Sequence, residues 1–252
     1  MALLPFLIIL YYYIDNFADC DIYYIIVDTI LYISAEKTMR NTAKDEIEMT
    51  ARRESMLSEG FRLFSKRGIE AVSMQTVANA CNVGIATLYR YFNTKLALVI
   101  AIGTKKWEEF GEVIDGERKR LRTDLLNAAE EFAFYLDCYR LLYRTQKDLL
   151  RFNQDFNNYL RHENAPQEQL LPYLNAIGAF AGMFHGVYEK GKIDGTIRTD
   201  LPEDKMFAAT SHIMLAVAVR YAQGLVYAAE REEDRTEEYE LLKSMILREY
   251  VV

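Results

Sequence analysis

An all-α fold is what this sequence predicts, a small helix-turn-helix domain followed by a larger helical one. Three observations lead there. Only four prolines and twelve glycines punctuate 252 residues, Leu, Ala, Glu, Lys and Arg dominate long stretches, and apolar residues recur at helical spacing. A hydrophobic content of 51% excludes a disordered chain, and the length suits one large domain or a small one joined to a larger.

Residues 1–40 form an apolar extension. Its runs Ala2 to Ile14 and Ile22 to Ile33 are each shorter than the roughly 20 residues of a spanning helix, and Asp15, Asp19, Asp21 and Asp28 interrupt them. No Lys or Arg precedes Lys37, which argues against a signal peptide. Ile, Tyr, Leu, Phe and Asn have AT-rich codons, so the extension reads as translated upstream sequence, with Met39 or Met49 as the natural start. A membrane anchor, making this a membrane-tethered interaction protein, and an added buried element are the alternatives for this segment.

The expected domain at residues 41–95 opens with a helix from about Lys44 to Arg67, whose Met56, Leu57, Gly60, Phe61, Leu63 and Phe64 share a stripe. Lys66 and Arg67 followed by Gly68 are a stop signal, since glycine takes the left-handed conformation that closes a helix. Ser73 can cap a second helix, with Met74, Val77, Ala78 and Cys81 at i, i+3, i+4 and i+7. Asn82-Val83-Gly84 breaks the pattern, and a third short helix starts at Ile85, with Leu88 and Phe92 facing inward. Two short helices joined by a tight turn behind a longer one are the arrangement in which the second short helix enters a DNA major groove. Charge agrees. Between residues 51 and 106 nine Lys and Arg stand against three Glu, a net +6 in a chain of net −7, so the remainder carries −13.

The stretch from about Arg53 to Lys95 resembles the DNA-binding domain of the TetR family of bacterial transcriptional regulators. The match lies in Leu63-Phe64, Gly68, Ser73, Val77-Ala78, the Cys81-Asn82-Val83-Gly84 turn, "ATLYRYF" and Lys95. It departs from the family's pattern where Cys81 and Asn82 replace Ala-Gly, Gly84 stands for a capping Ser, and Ala86 replaces Gly. The resemblance implies that Gln75, Ile85, Ala86 and Tyr89 face base edges, that Ser73, Thr87, Tyr91 and Lys95 hold phosphates, and that Arg90 serves either purpose. The chemistry is compatible: an amide pairs with adenine, apolar groups touch a thymine methyl, and hydroxyls and an ammonium suit phosphate.

Residues 96–252 are expected to form the acidic helical body. Candidate helices run from Lys95 to about Arg122, with Trp107, Phe110 and Val113 as a stripe, then Thr123 to Tyr143, Gln146 to Arg161, Gln167 to Lys190, Pro202 to Glu230 and Glu233 to Tyr250. Pro166, Gly191, Asp194-Gly195 and Pro202 mark breaks. Tyr135, Tyr139, Phe152, Phe156, Phe180, Phe184, His185 and Tyr188 are candidates to line an apolar ligand cavity. The last two helices carry Phe207, Ala208, Ser211, Leu215, Ala218, Ala222 and Leu225, then Tyr239, Leu242, Met245 and Ile246. In TetR-like proteins two such helices per subunit form a dimer interface, and twofold symmetry suits a palindromic operator.

Cys20, Cys81 and Cys138 are scattered and odd in number, so no disulfide framework or zinc site is expected, and a reducing cytoplasm fits best. His162, His185 and His212 show no paired helical spacing, so no metal or cofactor is expected. No nucleophile, base and orienting group fall together, which argues against an enzyme. The expected function is a homodimeric DNA-binding regulator, a repressor released from double-stranded DNA by a small-molecule effector. A regulator of the same kind answering to a protein partner is the further alternative.

Overall fold

The computed structural model describes residues 21–224 and 235–252, with side chains from residue 44 onward. The apolar stretch 1–20, Leu225 and the end of the helix expected up to Glu230 lie outside the described residues. The chain divides into two compact units, Met1–Glu54 and Ser55–Val252. Within the first, α1 (Asp21–Arg67) begins well before the expected Lys44, since neither Gly nor Pro interrupts residues 21–59. Its Glu48 and Arg52 form an exposed i, i+4 pair at 3.6 Å.

The second unit starts within α1, where Met56, Leu57, Leu63 and Phe64 are buried. Gly68 ends the helix at φ 83°, its N–H donating to the Phe64 carbonyl at 2.9 Å. The helices α2 (Met74–Ala80) and α3 (Ile85–Tyr91) follow, then the long α4 (Lys95–Leu121). Thr94 caps α4 by accepting from the Ala97 N–H, and Arg122 closes it in the left-handed region at φ 53°. Trp107 and Phe110 are buried as expected, whereas Val113 lies exposed.

A short 3-10 turn, Thr123–Leu125, leads into α5 (Ala128–Thr145), which starts five residues later than the sequence suggests because Asn127 and Glu130 form a capping box there. Two further N–H groups at the start of α5 are taken up from a distance. Ala128 donates to Asp194 Oδ2 at 2.7 Å and Ala129 to Thr196 Oγ1 at 3.0 Å. Next come α6 (Lys147–His162), α7 (Gln167–Asp194), α8 (Glu203–Gln223) and α9 (Thr236–Tyr250).

Gly191 does not break α7, which continues to Asp194 and ends on Gly195 at φ 69°. The missing side chain at Gly191 instead makes room for Ile197, whose Cδ1 would stand 2.8 Å from an added Cβ. Among the described residues α7 is also the one helix long and apolar enough to cross a membrane, with a mean hydropathy of 1.2. Its Tyr173, Met183, Phe184, Val187 and Tyr188 are buried within the unit.

The core is continuous from Met56 to Ile246. Helix α7 packs along α4 and against α5, while α8 packs on α5 and α6. Close approach of α4 and α7 depends on Gly103, where a Cβ would meet the Tyr173 ring at 3.2 Å. The last helix, α9, packs on α5, and the Arg198 N–H donating to the Tyr250 carbonyl at 2.7 Å ties the C-terminal end to the loop before α8. Burial decides how the residues expected at a dimer interface are used. Ala218, Ala222, Tyr239 and Ile246 are buried within the chain itself, leaving Ile213, Leu241 and Met245 as large exposed apolar side chains of α8 and α9.

Candidate nucleic-acid interface and ligand cavity

Local capping builds the reading head. Ser73 Oγ accepts from the Thr76 N–H at 3.1 Å and starts α2. The turn after α2 closes as a Schellman motif: Asn82 takes φ 53°, its N–H donates to Asn79, and the Val83 N–H donates to Ala78 at 3.0 Å. Asn82 thus supplies the left-handed residue. Gly84 sits at φ −68° as the N-cap of α3 with no side-chain cap, so the Ser-to-Gly departure leaves one amide of that helix without a hydroxyl partner. In α3 only Leu88 is fully buried, and it fixes the helix on the core.

The predicted contact residues differ in their exposure. Ser73, Gln75, Ala86, Tyr89 and Arg90 are exposed, with Tyr89 at 45%, while Ile85, Thr87, Tyr91 and Lys95 are half-buried. Gln75 Nε2 donates to Asn79 Oδ1 at 2.8 Å, which steadies the amide. The Arg90 guanidinium lies 6.0 Å from the Tyr91 ring. Lys95 is less free than sequence suggests. Its Nζ donates to the Glu70 carbonyl at 3.4 Å and lies 5.4 Å from the Tyr159 ring. Burial pulls its pKa below the ordinary lysine value, against the opposing pull of the Glu70 and Glu163 carboxylates.

Behind α4 lies a cavity of about 420 Å³, a size that suits a drug-sized molecule. Helical periodicity shows which faces form it. Asn153, Asn157 and Leu160 of α6 stand at i, i+4 and i+7, Tyr173, Ile177 and Phe180 of α7 repeat the spacing, and Phe207, Ser211 and Leu215 of α8 close it. Trp107 of α4 and Tyr139 of α5 complete the wall. The Tyr135 and Tyr139 hydroxyls lie 2.8 Å apart, each 3.0 Å from Ser211 Oγ, a closed triangle at one side. Burial pushes both phenols well above the ordinary tyrosine pKa. The Tyr173 hydroxyl donates to Asn153 Oδ1 at 2.8 Å, and burial pushes its pKa up to about 12 although the Trp107 N–H pulls it back.

Of the eight ligand candidates, Tyr139 and Phe180 line this cavity, and Tyr135 stands directly behind it. Phe152 turns to Phe61, and Phe156 packs on Tyr173 with centroids 4.4 Å apart, each one residue before an Asn of the lining face. Phe184 is buried among Phe132, Tyr135 and Phe207. Tyr188 donates to the Thr199 and Leu201 carbonyls. His185 is exposed, 3.0 Å from Glu203, and with Glu189 these groups bring their ligand atoms within 4.8 Å of one another at the surface. Sequence reasoning missed Trp107, Asn153, Asn157 and Tyr173. The available signal was the i, i+4 asparagine pair continuing into Leu160 on an otherwise charged helix.

Residues 56–102, from within α1 to the first turns of α4, match the family model for bacterial regulatory proteins of the tetR family. The chain is 40% identical over 57 residues to the HTH-type transcriptional repressor KstR of Rhodococcus jostii, a match covering 23% of this chain and 27% of that relative's length. Over 182 residues it is 25% identical to the HTH-type transcriptional regulator SAB2452 of Staphylococcus aureus, covering 71% of this chain and 86% of the relative. The fold matches that of the transcriptional regulator FadR of Bacillus subtilis, solved with stearoyl-CoA, at a TM-score of 0.58 and 15% identity over 77% of this chain and 95% of that one. Helix order and the matched residues agree: residues 56–102 form a DNA-binding domain of the type found in bacterial regulatory proteins of the tetR family.

Proposed function

We propose that the chain is a homodimeric, sequence-specific DNA-binding transcriptional regulator, a repressor released from a palindromic operator when a small molecule fills the cavity. The observation that carries this is the shared use of α4. Lys95 at its first turn adjoins the reading head, and Trp107, twelve residues and about 18 Å further along the same helix, stands in the cavity wall. A ligand that prefers one position of α4 therefore prefers one position of the reading head, and such differential affinity is what release requires. The solved neighbour with stearoyl-CoA is a regulator of this fold that takes a small molecule. For the second subunit, the exposed Ile213, Leu241 and Met245 on α8 and α9 are the apolar surface available.

The test is to select DNA fragments from a random pool with the purified dimer, then to ask which compounds release the winning fragment. A twofold-symmetric sequence with half-sites about one helical turn apart, or a multiple of that, is expected. Selection of no sequence would sink the reading.

A further inference from the structure

Among the described residues the cavity wall carries no Asp, Glu, Lys or Arg. Its one titratable base, His212, is exposed to solvent. The polar groups inside are neutral, and they are unequally satisfied. The hydroxyls of Tyr135, Tyr139 and Ser211 satisfy one another. Trp107 is 6% exposed, and its buried indole N–H lies near enough to the Tyr173 oxygen to act on it but meets no acceptor at hydrogen-bond geometry among the described residues. Asn153, 5% exposed, receives the Tyr173 hydroxyl on its oxygen, which leaves its amide nitrogen without a partner among the described residues. Both unmatched groups are donors. They stand on α4 and α6, with Tyr173 beside each of them.

A buried donor without a partner is costly, and an acceptor brought by a ligand removes that cost. An ionised carboxylate brought to the same place would lose its hydration with no cation to replace it, a far larger penalty than a neutral oxygen meets. We propose that the cavity is selective for a neutral, largely apolar molecule bearing one hydrogen-bond acceptor of the ketone type, received by the Trp107 N–H and the Asn153 amide. This ligand class rests on the effector reading above. Trp107 is then the specificity-determining residue, and because it belongs to α4 its bond to the ligand acts on the helix that carries the reading head.

Trp107 is the only tryptophan of the chain, so its emission reports occupancy directly. The full chain, without DNA, is titrated at pH 8, where histidine is ordinarily neutral, with 2-tridecanone and with tridecanoate, matched in length. Emission and calorimetry are both followed. The ketone is expected to bind at least about tenfold more tightly than the carboxylate. By calorimetry, Trp107→Phe is expected to weaken the ketone about tenfold and to change tridecanoate by less than about twofold, as loss of one desolvated hydrogen bond predicts. Absence of ketone binding, equal or tighter binding of tridecanoate, or an unchanged ketone affinity in a folded Trp107→Phe chain overturns the proposal. If that variant does not fold, the comparison of the two probes on the natural chain decides alone. A chain that takes the ketone but selects no operator loses the regulator reading and keeps this one, and the reverse outcome separates them equally well.

Discussion

Replacing Leu88 by Ala tests whether the recognition helix is held by a single side chain. Helix α3 is seven residues long, too short to be stable by itself, and Leu88 is its only fully buried residue. The substitution removes three carbons, worth about 2.4 kcal/mol at roughly 0.8 per buried methylene. Leu88 is fully buried where α3 packs on α2; such a site collapses only in part, so a residual cavity brings the total to about 3 kcal/mol. Urea unfolding followed by Trp107 emission measures this, and anisotropy on a selected operator measures binding. The paired control is Tyr89→Ala at a site 45% exposed, which is expected to change stability by less than about 0.5 kcal/mol while still weakening the operator complex. A Leu88→Ala loss below about 1 kcal/mol would refute the claim that this residue anchors the helix. So would full operator affinity in a chain destabilised by about 3 kcal/mol.

Lys95→Ala is expected to weaken binding to all DNA sequences alike and to reduce the slope of log affinity against log salt by about 1; an unchanged slope would mean that the ammonium stays on the Glu70 carbonyl in the complex. Gly191→Ala places a methyl against the buried Ile197 and is expected to cost about 1–3 kcal/mol in urea, with the operator sequence unaltered. Burial pushes the Cys138 thiol up to about 12 from its ordinary 9.0, so an alkylating reagent should reach Cys138 only after unfolding. The same shift and that of Tyr173 raise folded pKa values of groups that are neutral when protonated. Their contribution is fully present below about pH 9 and is lost as pH rises towards 12. Stability that stayed flat across that alkaline window would contradict the burial of both groups.

The reading head was legible because its determinants are local. A hydroxyl at position 73, a left-handed Asn at 82 and inward residues four apart at 88 and 92 each act within one turn of chain, so sequence spacing contains them. What sequence missed there is equally physical: the Glu70 carbonyl that holds Lys95 lies 25 residues away, and no periodicity reports a contact between a side chain and a distant backbone oxygen.

The cavity was less legible for a different reason. Hydrophobic periodicity marks which face of a helix is buried, not which part of that face stops short of its neighbour. Phe152 and Asn153 are adjacent and both buried, yet one fills the core against Phe61 and the other borders empty volume. Aromatic residues were the natural candidates for a ligand site, but a large ring in a close-packed interior more often fills space than leaves it. The better signal is chemical. Burying a carboxamide such as Asn153 or an indole N–H such as Trp107 is unfavourable unless it is paired, so a neutral polar group at a core position of an amphipathic helix marks a place where the fold provides a partner or awaits one. In α6 the pair at 153 and 157 interrupts an apolar stripe that Leu149, Leu150, Phe156 and Leu160 otherwise continue. That interruption, rather than the aromatic run beside it, locates the cavity.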